Sequence, residues 1–269
     1  MADASLLSRV RARALPAARE VLFHLWSLRS RLPLSLAGPA NGDQLVVVIP
    51  AYHESRVRNL APLVRTCLQC RFVSRVIVSS HNPNVQMQRW VPLRDARVQV
   101  REYGRRFGCG HVWKVAQEED APYFLIVDDD QLLTPRQIAV LFRHLQARSD
   151  VPHGLTGALR GIYQERRDMD VDALYNLYAV TRAHVHRYEA LAHELETAYG
   201  IPHADIEYFA DDVLISHAGT GQPRIHDAGF ILRCRTGHTP GVATFKEQDF
   251  DARRRRVEAA VLAIAAEVG

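Results

Sequence analysis

The sequence predicts an α/β domain in which helices flank a central, largely parallel sheet. Three apolar runs of strand length, at residues 45–50, 73–80 and 123–127, lead to this prediction. Each is rich in β-branched or aromatic residues, as expected of buried strands. Segments with a helical pattern, at 60–70 and 110–120, separate them. Strands that alternate with helices at this spacing are typical of doubly wound sheets, which bind ligands at the carboxyl ends of their strands.

The second half of the chain is expected to mix strands and helices. Thr134 as N-cap and Pro135 at the first helical position mark a helix that runs to about Arg148. The other elements expected from the apolar patterns are a short strand at 97–103, strands at 154–161, 174–181 and 224–231, and helices at 184–199 and 212–218. The predicted fold is therefore a mixed central sheet flanked by helices.

Composition divides the chain into three parts. We assign residues 1–43 to a basic amphipathic segment and a linker, residues 44–250 to the main domain, and residues 251–269 to a basic helix or tail. A basic amphipathic helix suits contact with an anionic membrane surface. Packing of the same helix on the domain fits the pattern equally well, so both interpretations stay open.

Composition also limits the classes of function. The chain has 269 residues, is 47% hydrophobic and carries a net charge of +4, which suits an anionic substrate but is too small to indicate nucleic acid. No apolar run approaches the roughly 18 residues of a membrane span, and arginines interrupt any signal-peptide core. We therefore expect a cytoplasmic protein with peripheral membrane contact at most. Cys67 and Cys70 lack further ligands at zinc-site spacing and are expected to be buried thiols.

Three consecutive carboxylates, Asp128–Asp130, end the apolar run at 123–127. Clustered negative charges repel, and each disfavours the ionisation of its neighbours unless a cation compensates. Carboxylate oxygens suit Mg²⁺ or Mn²⁺, which also bind phosphate oxygens. The alternative is that two of them cap the next helix, but Thr134 and Pro135 already start that helix. The triplet therefore predicts a metal–diphosphate site at the carboxyl end of a strand.

Four segments, in this order, resemble motifs of the GT-A glycosyltransferases. Val46–Tyr52 resembles their first strand and nucleotide loop, and Arg75–Asn82 resembles their second strand. Leu125–Asp130 resembles their DXD motif. Tyr208–Leu214 resembles the acidic motif that opens a helix near the acceptor. Each motif is weak alone, but four in the right order at the right separations are fairly specific.

The order and spacing are most similar to the exostosin-like branch, although family 2-like inverting enzymes share most of the motifs. Ala210 stands where that branch has cysteine, and His81-Asn82 stands where it has Asn-Asn. The resemblance implies a GT-A, Rossmann-like nucleotide-diphospho-sugar transferase fold. It also implies a bacterial-type, Mn²⁺- or Mg²⁺-dependent enzyme that transfers a hexosyl or N-acetylhexosaminyl group. The donor would be a nucleoside-diphosphate sugar, with a UDP-sugar favoured, and the acceptor a hydroxyl group.

Two alternatives belong to other functional classes. A sugar-nucleotide pyrophosphorylase or other nucleotidyltransferase also uses a doubly wound sheet and Mg²⁺, but usually carries a Gly-rich loop where this chain has Pro50 to Glu54. In a non-catalytic nucleotide-sugar-binding protein we expect the second acidic motif to have lost its acidic residues, whereas Asp211-Asp212 is intact here. The glycosyltransferase interpretation is therefore preferred.

The resemblance also assigns residues to the nucleotide. Pro50, Ala51 and Tyr52 would form the pocket for the base, with Tyr52 available to stack on uracil. Glu54 or Arg56 would bind the ribose or the base edge. These positions lie at the end of the first predicted strand or just after it, so the donor pocket is expected at its carboxyl end.

Three further positions are expected to contact the donor. Asn82 ends the second predicted strand and is placed to contact the base or ribose, with an Asx turn before Pro83 as the alternative. Lys114 would reach the diphosphate, with an exposed helix-face lysine as the alternative. Arg105, with Arg106 beside it, is a second candidate for the phosphates in a Gly-flanked loop.

The metal shell is assigned from the same resemblance. Asp130 would be a direct metal ligand, Asp128 a ribose or metal contact, and Asp129 would act through water or the phosphate network. His226 is the best-placed late histidine to complete the shell. For His226, a structural role is the alternative.

The second acidic motif is expected to serve the chemistry. Asp212, with Asp211 beside it, would lie nearest the reacting carbon of the sugar. In an inverting enzyme Asp212 would be the general base for the acceptor hydroxyl, and in a retaining enzyme it would stabilise the oxocarbenium-like state or orient the acceptor. The alternative is that Asp211 caps the next helix. The run Arg253 to Arg256 is expected to be a solvated helix face or a lid over the diphosphate.

Overall fold

An eight-stranded mixed sheet forms the centre of the computed structural model, which describes residues 17–36, 43–234 and 249–268. The strands, in chain order, are β1 (Leu45–Ala51), β2 (Val73–Ser80), β3 (Val98–Glu102), β4 (Tyr123–Val127), β5 (Gln131–Leu132), β6 (His153–Gly154), β7 (Thr156–Leu159), β8 (Ile162–Glu165), β9 (Met169–Asp170), β10 (Ala173–Leu174), β11 (Leu177–Thr181), β12 (Arg224–Ile225) and β13 (Leu232–Arg233). The helices are α1 (17–29), α2 (Leu60–Leu68), α3 (His111–Gln117), α4 (Pro135–Ala147), α5 (Arg182–Tyr199), α6 (His203–Phe209), α7 (Asp211–Ser216) and α8 (Phe250–Val268).

The strand order in the main sheet is β3-β2-β1-β4-β11-β6-β12-β9. The strands β3, β2, β1 and β4 are parallel to one another, whereas β11 is antiparallel to β4. The carboxyl end of β4 therefore lies beside the start of β11, where the Asp128 amide donates a hydrogen bond to the Asn176 carbonyl at 3.1 Å. Two small sheets, β10-β7-β8 and β13-β5, lie outside the main sheet.

Helices cover both faces of the sheet because successive strand residues point to opposite sides. On one face Val46 and Val48 pack with buried residues of α3, α5, α7 and α8. On the other face Val47 and Ile49 pack with buried residues of α1, α2 and α4. This two-sided burial explains why the sequence of β1 is continuously apolar rather than alternating.

The strands predicted in the first half of the chain are confirmed, as are most of the helices. The predicted start of α4 is also confirmed, because Thr134 Oγ1 accepts a hydrogen bond from the Gln137 backbone amide and Gln137 Oε1 accepts one from the Thr134 backbone amide. The α5 helix begins two residues before its predicted start, with Thr181 as its N-cap. Cys67 and Cys70 are buried free thiols, as expected.

Three predicted strands in the second half are shorter or divided. The 154–161 run splits because β6 belongs to the main sheet, whereas β7 pairs with β8 and β10. The 174–181 run breaks at Asn176, whose φ of 61° is left-handed. The 224–231 run is a strand only at Arg224–Ile225, because a turn follows in which the Asp227 side chain accepts the Gly229 amide at 2.9 Å. The sequence also failed to predict α6.

The α1 helix packs on the domain. Phe23 and Trp26 are buried in the α2–α4 face, and the Trp26 indole donates a 2.7 Å hydrogen bond to the Leu133 carbonyl. Arg58 binds both carboxylate oxygens of Glu20, at 2.7 and 2.9 Å. The packing alternative is thus observed for residues 17–29, while the predicted positions 1–16 and 37–42 lie outside the described residues. Within the described ranges, no helix combines the length and apolar character that crossing a membrane requires.

Replacing Trp26 by alanine is expected to lower the free energy of unfolding by about 3–5 kcal/mol, because a buried indole and its hydrogen bond are lost. Urea unfolding of both proteins measures the difference. Leu25→Ala is the matched control, since Leu25 lies on the same helix and is 57% exposed. Equal effects of the two substitutions would contradict the docking of α1 through Trp26.

Candidate active site

The Asp128–Asp130 triplet lies directly after β4, where backbone hydrogen bonds fix it. The Gln131 amide donates to the Asp128 carbonyl at 3.0 Å, which turns the chain after the strand. The Cys234 amide donates to the Asp130 carbonyl at 2.9 Å, next to the β5–β13 pair. Residues from β4, the segment before β11 and the end of β13 therefore hold the triplet together.

Arg56 neutralises part of this charge. Its Nη1 lies 2.9 Å from Asp129 Oδ1, and its Nη2 lies 3.3 Å from Asp130 Oδ2. Burial would lower the pKa of Arg56, but Asp129 and Asp130 outweigh burial and raise it. Asn59 donates to the Asp129 carbonyl at 2.8 Å, so the short helix Glu54–Asn59 is tied to the triplet twice.

Asp128 has a different environment from its two neighbours. Burial raises its pKa well above the usual range, and the charges of Asp130, Asp129 and Asp211 raise it further. In the described part of the chain, no side chain donates a hydrogen bond to the Asp128 carboxylate. Burial also raises the pKa of Asp129, to about 6, against the opposing effect of Arg56. The site thus holds more negative charge than Arg56 compensates, and an oxygen-liganded divalent cation fits it.

The second acidic motif lies close to the first. Asp211 and Asp212 occupy the first turn of α7, whose N-cap is Ala210. The alternative that Asp211 is the N-cap is therefore wrong, although both carboxylates benefit from the amino end of the helix. Burial and then the charge of Asp212 raise the pKa of Asp211 to about 8. Burial and then the charges of Asp212, Asp211 and Asp128 raise the pKa of Tyr178, so all three carboxylates act on its hydroxyl group.

Asp212 forms an ion pair with Arg254 of α8. Arg254 Nη2 lies 2.8 Å from Asp212 Oδ2, and Nη1 contacts Asp212 Oδ1. The Val213 amide donates to Asp212 Oδ1 at 3.0 Å. The side chains of Asp212 and Arg254 are only 12% and 15% exposed, so this pair is well shielded from solvent.

The arginines of the predicted run at 253–256 thus have different environments. Arg254 is mostly buried and fixed on the acidic motif, which corrects the expectation of a uniformly solvated face. Its neighbour Arg253 pairs with Asp205 at 2.8 Å and is half exposed. The structure therefore anchors this part of α8 to α6 and α7.

The predicted base pocket follows β1. Pro50 and Ala51 end the strand, and Tyr52 is half-buried after it. The Arg106 guanidinium lies 5.1 Å above the Tyr52 ring, whereas Arg105 lies 4.6 Å above Phe107. Of the two arginines predicted as phosphate candidates, Arg106 is thus the one next to the predicted stacking residue.

Asn82 uses both ends of its amide within the protein. Its Nδ2 donates to the Tyr52 carbonyl at 2.9 Å, and its Oδ1 accepts the Asn84 amide at 3.0 Å. The second bond is the Asx turn named as the alternative, so Asn82 holds the Tyr52 loop in position. Glu54 is exposed, and Lys114 is exposed on α3 beside His111, whose pKa is lowered first by burial and then by Lys114.

His226 lies in a histidine cluster rather than in contact with the triplet. Its Nε2 lies 2.8 Å from His153 Nδ1, its Nδ1 lies 3.3 Å from Asp168 Oδ1, and His144 stacks on its ring at 3.7 Å. No contact between His226 and the acidic triplet occurs among the described residues. The predicted role of His226 in the shell of the triplet therefore gains no support from its surroundings.

Sequence reasoning missed the position of three side chains at the site. The sequence assigns Arg56 to the ribose or the base edge, treats Arg254 only as part of an arginine run, and assigns no role to Tyr178. For Arg56, proximity to the end of β1 and the uncompensated charge of the triplet are a usable signal. For Arg254 and Tyr178 no local pattern distinguishes them from neighbouring arginines and aromatic residues.

Asp211→Asn is expected to stabilise the cation-free protein at alkaline pH by at least about 1 kcal/mol. Burial raises the pKa of Asp211 from 3.8 to about 8, so the native state binds an extra proton between these values. Stability therefore falls by about 1.4 kcal/mol per pH unit as pH rises through this window. Asparagine removes this loss. Urea unfolding with a chelator at pH 5 and pH 8 measures it, and parallel pH profiles for both proteins would contradict the burial of Asp211.

Comparison with solved structures supports the fold assignment. The chain is similar to a structure of GalNAc-T7 with UDP, GalNAc and Mn²⁺, with a TM-score of 0.51 and 11% identity over 70% of this chain and 43% of that chain. Residues 1–349 of S. aureus TarS match with a TM-score of 0.46 and 13% identity, over 70% of this chain and 59% of that chain. The structure of CMP:2-keto-3-deoxy-manno-octonic acid synthetase complexed with CTP matches with a TM-score of 0.46 and 15% identity, over 84% of this chain and 100% of that chain.

The last two scores are too low to carry an argument, and the chain spans less than half the length of the GalNAc-T7 chain. No protein-family model matches the sequence, and no curated protein matches it. The architecture is therefore a GT-A-like fold: a mixed central sheet flanked by helices.

Proposed function

We propose that this chain is a divalent-metal-dependent glycosyltransferase. It would transfer a hexosyl or N-acetylhexosaminyl group from a nucleoside-diphosphate sugar, with UDP favoured, to a hydroxyl acceptor. The observation that carries the proposal is the approach of two acidic motifs, Asp128–Asp130 and Asp211-Asp212, at the carboxyl end of β4 in a GT-A-like fold. The presence of UDP, GalNAc and Mn²⁺ in the similar GalNAc-T7 structure supports the donor class. Membership of the exostosin-like branch is part of the proposal.

In this proposal Asp128 and Asp130 hold Mn²⁺ or Mg²⁺. Asp128 is the more available ligand, because Arg56 and the Gln131 amide group at 2.7 Å already engage the Asp130 carboxylate. The bound cation supplies positive charge against the diphosphate of the leaving group. Arg56 holds Asp129 and Asp130 in fixed positions, so the site is preorganised before the donor binds.

Asp212 is proposed to act at the reacting sugar. In an inverting reaction its carboxylate accepts the proton of the acceptor hydroxyl, and in a retaining reaction it stabilises the developing positive charge. Arg254 fixes the orientation of the Asp212 carboxylate through the paired hydrogen bonds. Burial and the charge of Asp212 raise the pKa of Asp211 to about 8, so Asp211 would hold a proton at neutral pH in the cation-free site.

The donor base is proposed to bind beside Tyr52. Asn82 and the end of β1 fix the Tyr52 backbone, and the guanidinium of Arg106 above its ring supplies positive charge near the base or the diphosphate. Arg105 and Lys114 are exposed, so in this proposal they contact a phosphate from the solvent side of the site. Glu54 remains a candidate for the ribose.

A cytoplasmic location with peripheral membrane contact is also part of the proposal. The side of α1 that faces away from the domain exposes apolar side chains, among them Val21 at 58%, Leu25 at 57% and Leu28 at 59%. An exposed apolar stripe next to arginines suits an anionic lipid surface. Cosedimentation with vesicles of anionic and neutral lipid tests it, and equal absence from both pellets would rule it out.

The products of the reaction test the proposed function. The protein is incubated with Mn²⁺ and UDP-, GDP-, dTDP- or CDP-sugars, and release of nucleoside diphosphate is measured with and without hydroxyl acceptors. A glycosyltransferase releases nucleoside diphosphate from one donor class, slowly to water and faster to an acceptor. A nucleotidyltransferase instead releases pyrophosphate from a nucleoside triphosphate and a sugar phosphate. Donor binding without either product would identify a non-catalytic binding protein.

A further inference from the structure

A second group of potential metal ligands lies outside the acidic site. His144 comes from α4, Asp168 from the loop between β8 and β9, and His226 directly follows β12. One ligand atom from each lies within 4.8 Å of the other two. Among the described residues, this is the group of three that is compact enough to hold one metal ion. It combines two imidazoles with one carboxylate, drawn from three separate parts of the fold.

Hydrogen bonds determine which nitrogen of His226 carries a proton. His153 Nε2 lies 2.7 Å from the Arg148 carbonyl, which can only accept, so this nitrogen carries hydrogen. Neutral His153 then accepts at Nδ1, and His226 Nε2, at 2.8 Å, must donate to it. The lone pair of neutral His226 is consequently on Nδ1.

That lone pair faces a second acceptor. His226 Nδ1 lies 3.3 Å from Asp168 Oδ1. The His144 ring stacks on the His226 ring with 3.7 Å between centroids, so the His144 ring would have to rotate for its nitrogen lone pair to reach an ion held by the other two ligands. Two acceptors placed together fit a metal cation between them. Neutral imidazole is the form that binds metals.

We propose that His144, Asp168 and His226 form a Zn²⁺ site separate from the acidic active site. Two imidazoles and a carboxylate suit Zn²⁺, which accepts nitrogen and oxygen ligands and is usually four-coordinate. Three protein ligands leave one position for water. His153 is the positioning residue, because it accepts the other N–H of His226 and fixes its tautomer, as partners of metal-bound histidines generally do. The inference does not depend on the glycosyltransferase proposal.

The site ties a surface segment to the domain. Asp168 follows β8, in which Glu165 binds Arg233 at 2.7 Å, and Arg233 pairs in register with Gln131 next to the acidic triplet. A metal ion between Asp168 and α4 would therefore restrain the β8–β9 segment and the wall of the active site that it supports. The expected role of the metal ion is structural: it would hold the β8–β9 segment against α4.

Zn²⁺ binding to the whole chain tests the proposal. The protein is freed of metal with a chelator, excess Mg²⁺ is added to occupy the acidic site, and Zn²⁺ is titrated by calorimetry and by thermal unfolding. We expect one Zn²⁺ per chain and a rise in Tm of about 5 °C at a hundredfold excess over Kd. Asp130→Ala should retain this binding. Absence of Zn²⁺ binding to the wild-type chain would overturn the proposal.

Single substitutions locate the ion. Asp168→Asn keeps the side-chain shape on an exposed loop, and His144→Asn removes a ligand at the surface end of α4. Each should weaken Zn²⁺ binding at least about 100-fold while leaving the Tm of the metal-free protein near the wild-type value. His193→Asn is the matched control, because His193 is exposed on α5. Zn²⁺ affinity unchanged in both ligand variants, or lowered equally in the control, would overturn the assignment.

Discussion

Replacing Asp212 by asparagine is expected to slow sugar transfer by about 10²–10⁴-fold while metal-dependent nucleotide binding persists. Asparagine has the shape of aspartate but neither accepts a proton from the acceptor hydroxyl nor stabilises positive charge on the sugar. The measurement is kcat at saturating donor, with donor binding followed separately by thermal shift. Near-normal turnover would return Asp212 to a purely structural role as the partner of Arg254.

The same substitution should also lower stability, by about 3–5 kcal/mol, because it leaves the mostly buried Arg254 without its charged partner. Asp205→Asn is the matched control. Asp205 pairs with Arg253, the neighbour of Arg254, at 2.8 Å on a more exposed surface. Loss of the Asp205–Arg253 ion pair should lower the free energy of unfolding by less than about 1 kcal/mol and leave kcat near the wild-type value. Equal loss of activity in both variants would mean that α8 anchoring, rather than the Asp212 carboxylate, limits the reaction.

Asp130→Ala is expected to abolish the Mn²⁺-dependent part of UDP binding. At a hundredfold excess of UDP over the wild-type Kd, about 2.7 kcal/mol of ligand-dependent stabilisation would be lost. The reason is that the cation loses the carboxylate of residue 130 as a ligand. Arg56 then keeps only its ion pair with Asp129. Comparing thermal unfolding with UDP alone and with UDP plus Mn²⁺ isolates the metal-dependent component.

Asp128→Asn provides an independent test of the same site, because the Asp128 carboxylate accepts no hydrogen bond from a described side chain. It should remove the Mn²⁺ effect with little loss of folding stability. Asp120→Asn is the control, since its side chain is fully exposed just before β4, at the opposite end of the strand from the triplet. Unchanged Mn²⁺-dependent UDP affinity in both Asp128 and Asp130 variants would contradict the metal assignment.

The first half of the fold could be predicted because its strands are buried on both faces. Continuous apolar runs such as Leu45–Ala51 have no other stable location than between two layers of helices. The second half could not be predicted to the same accuracy. Its strands are two to five residues long, and the chain moves between sheets at Leu155 and at Asn176. Such changes depend on which partner strand is nearby, and local sequence does not contain that information.

The candidate site divides in the same way. The position of Asp128–Asp130 follows from the end of one strand, and that of Asp211-Asp212 from the start of one helix. The side chains that modify these acids come from far away in sequence. Arg254 is 42 residues from Asp212, and Arg56 is 73 residues from Asp129. His226 illustrates the opposite error, because a histidine suitable for a metal lies in a different cluster.

The central claim is that the two acidic motifs form a metal-dependent nucleotide-sugar site. Thermal stabilisation by a panel of UDP-, GDP-, dTDP- and CDP-sugars, each with and without Mn²⁺, tests it most directly. A ligand that binds only the folded protein raises Tm according to its concentration relative to Kd. The account predicts a shift for one nucleotide, with UDP expected, that requires Mn²⁺ and disappears in Asp130→Ala. No shift with any nucleotide sugar would contradict the account and leave the Asp128–Asp130 triplet without a donor.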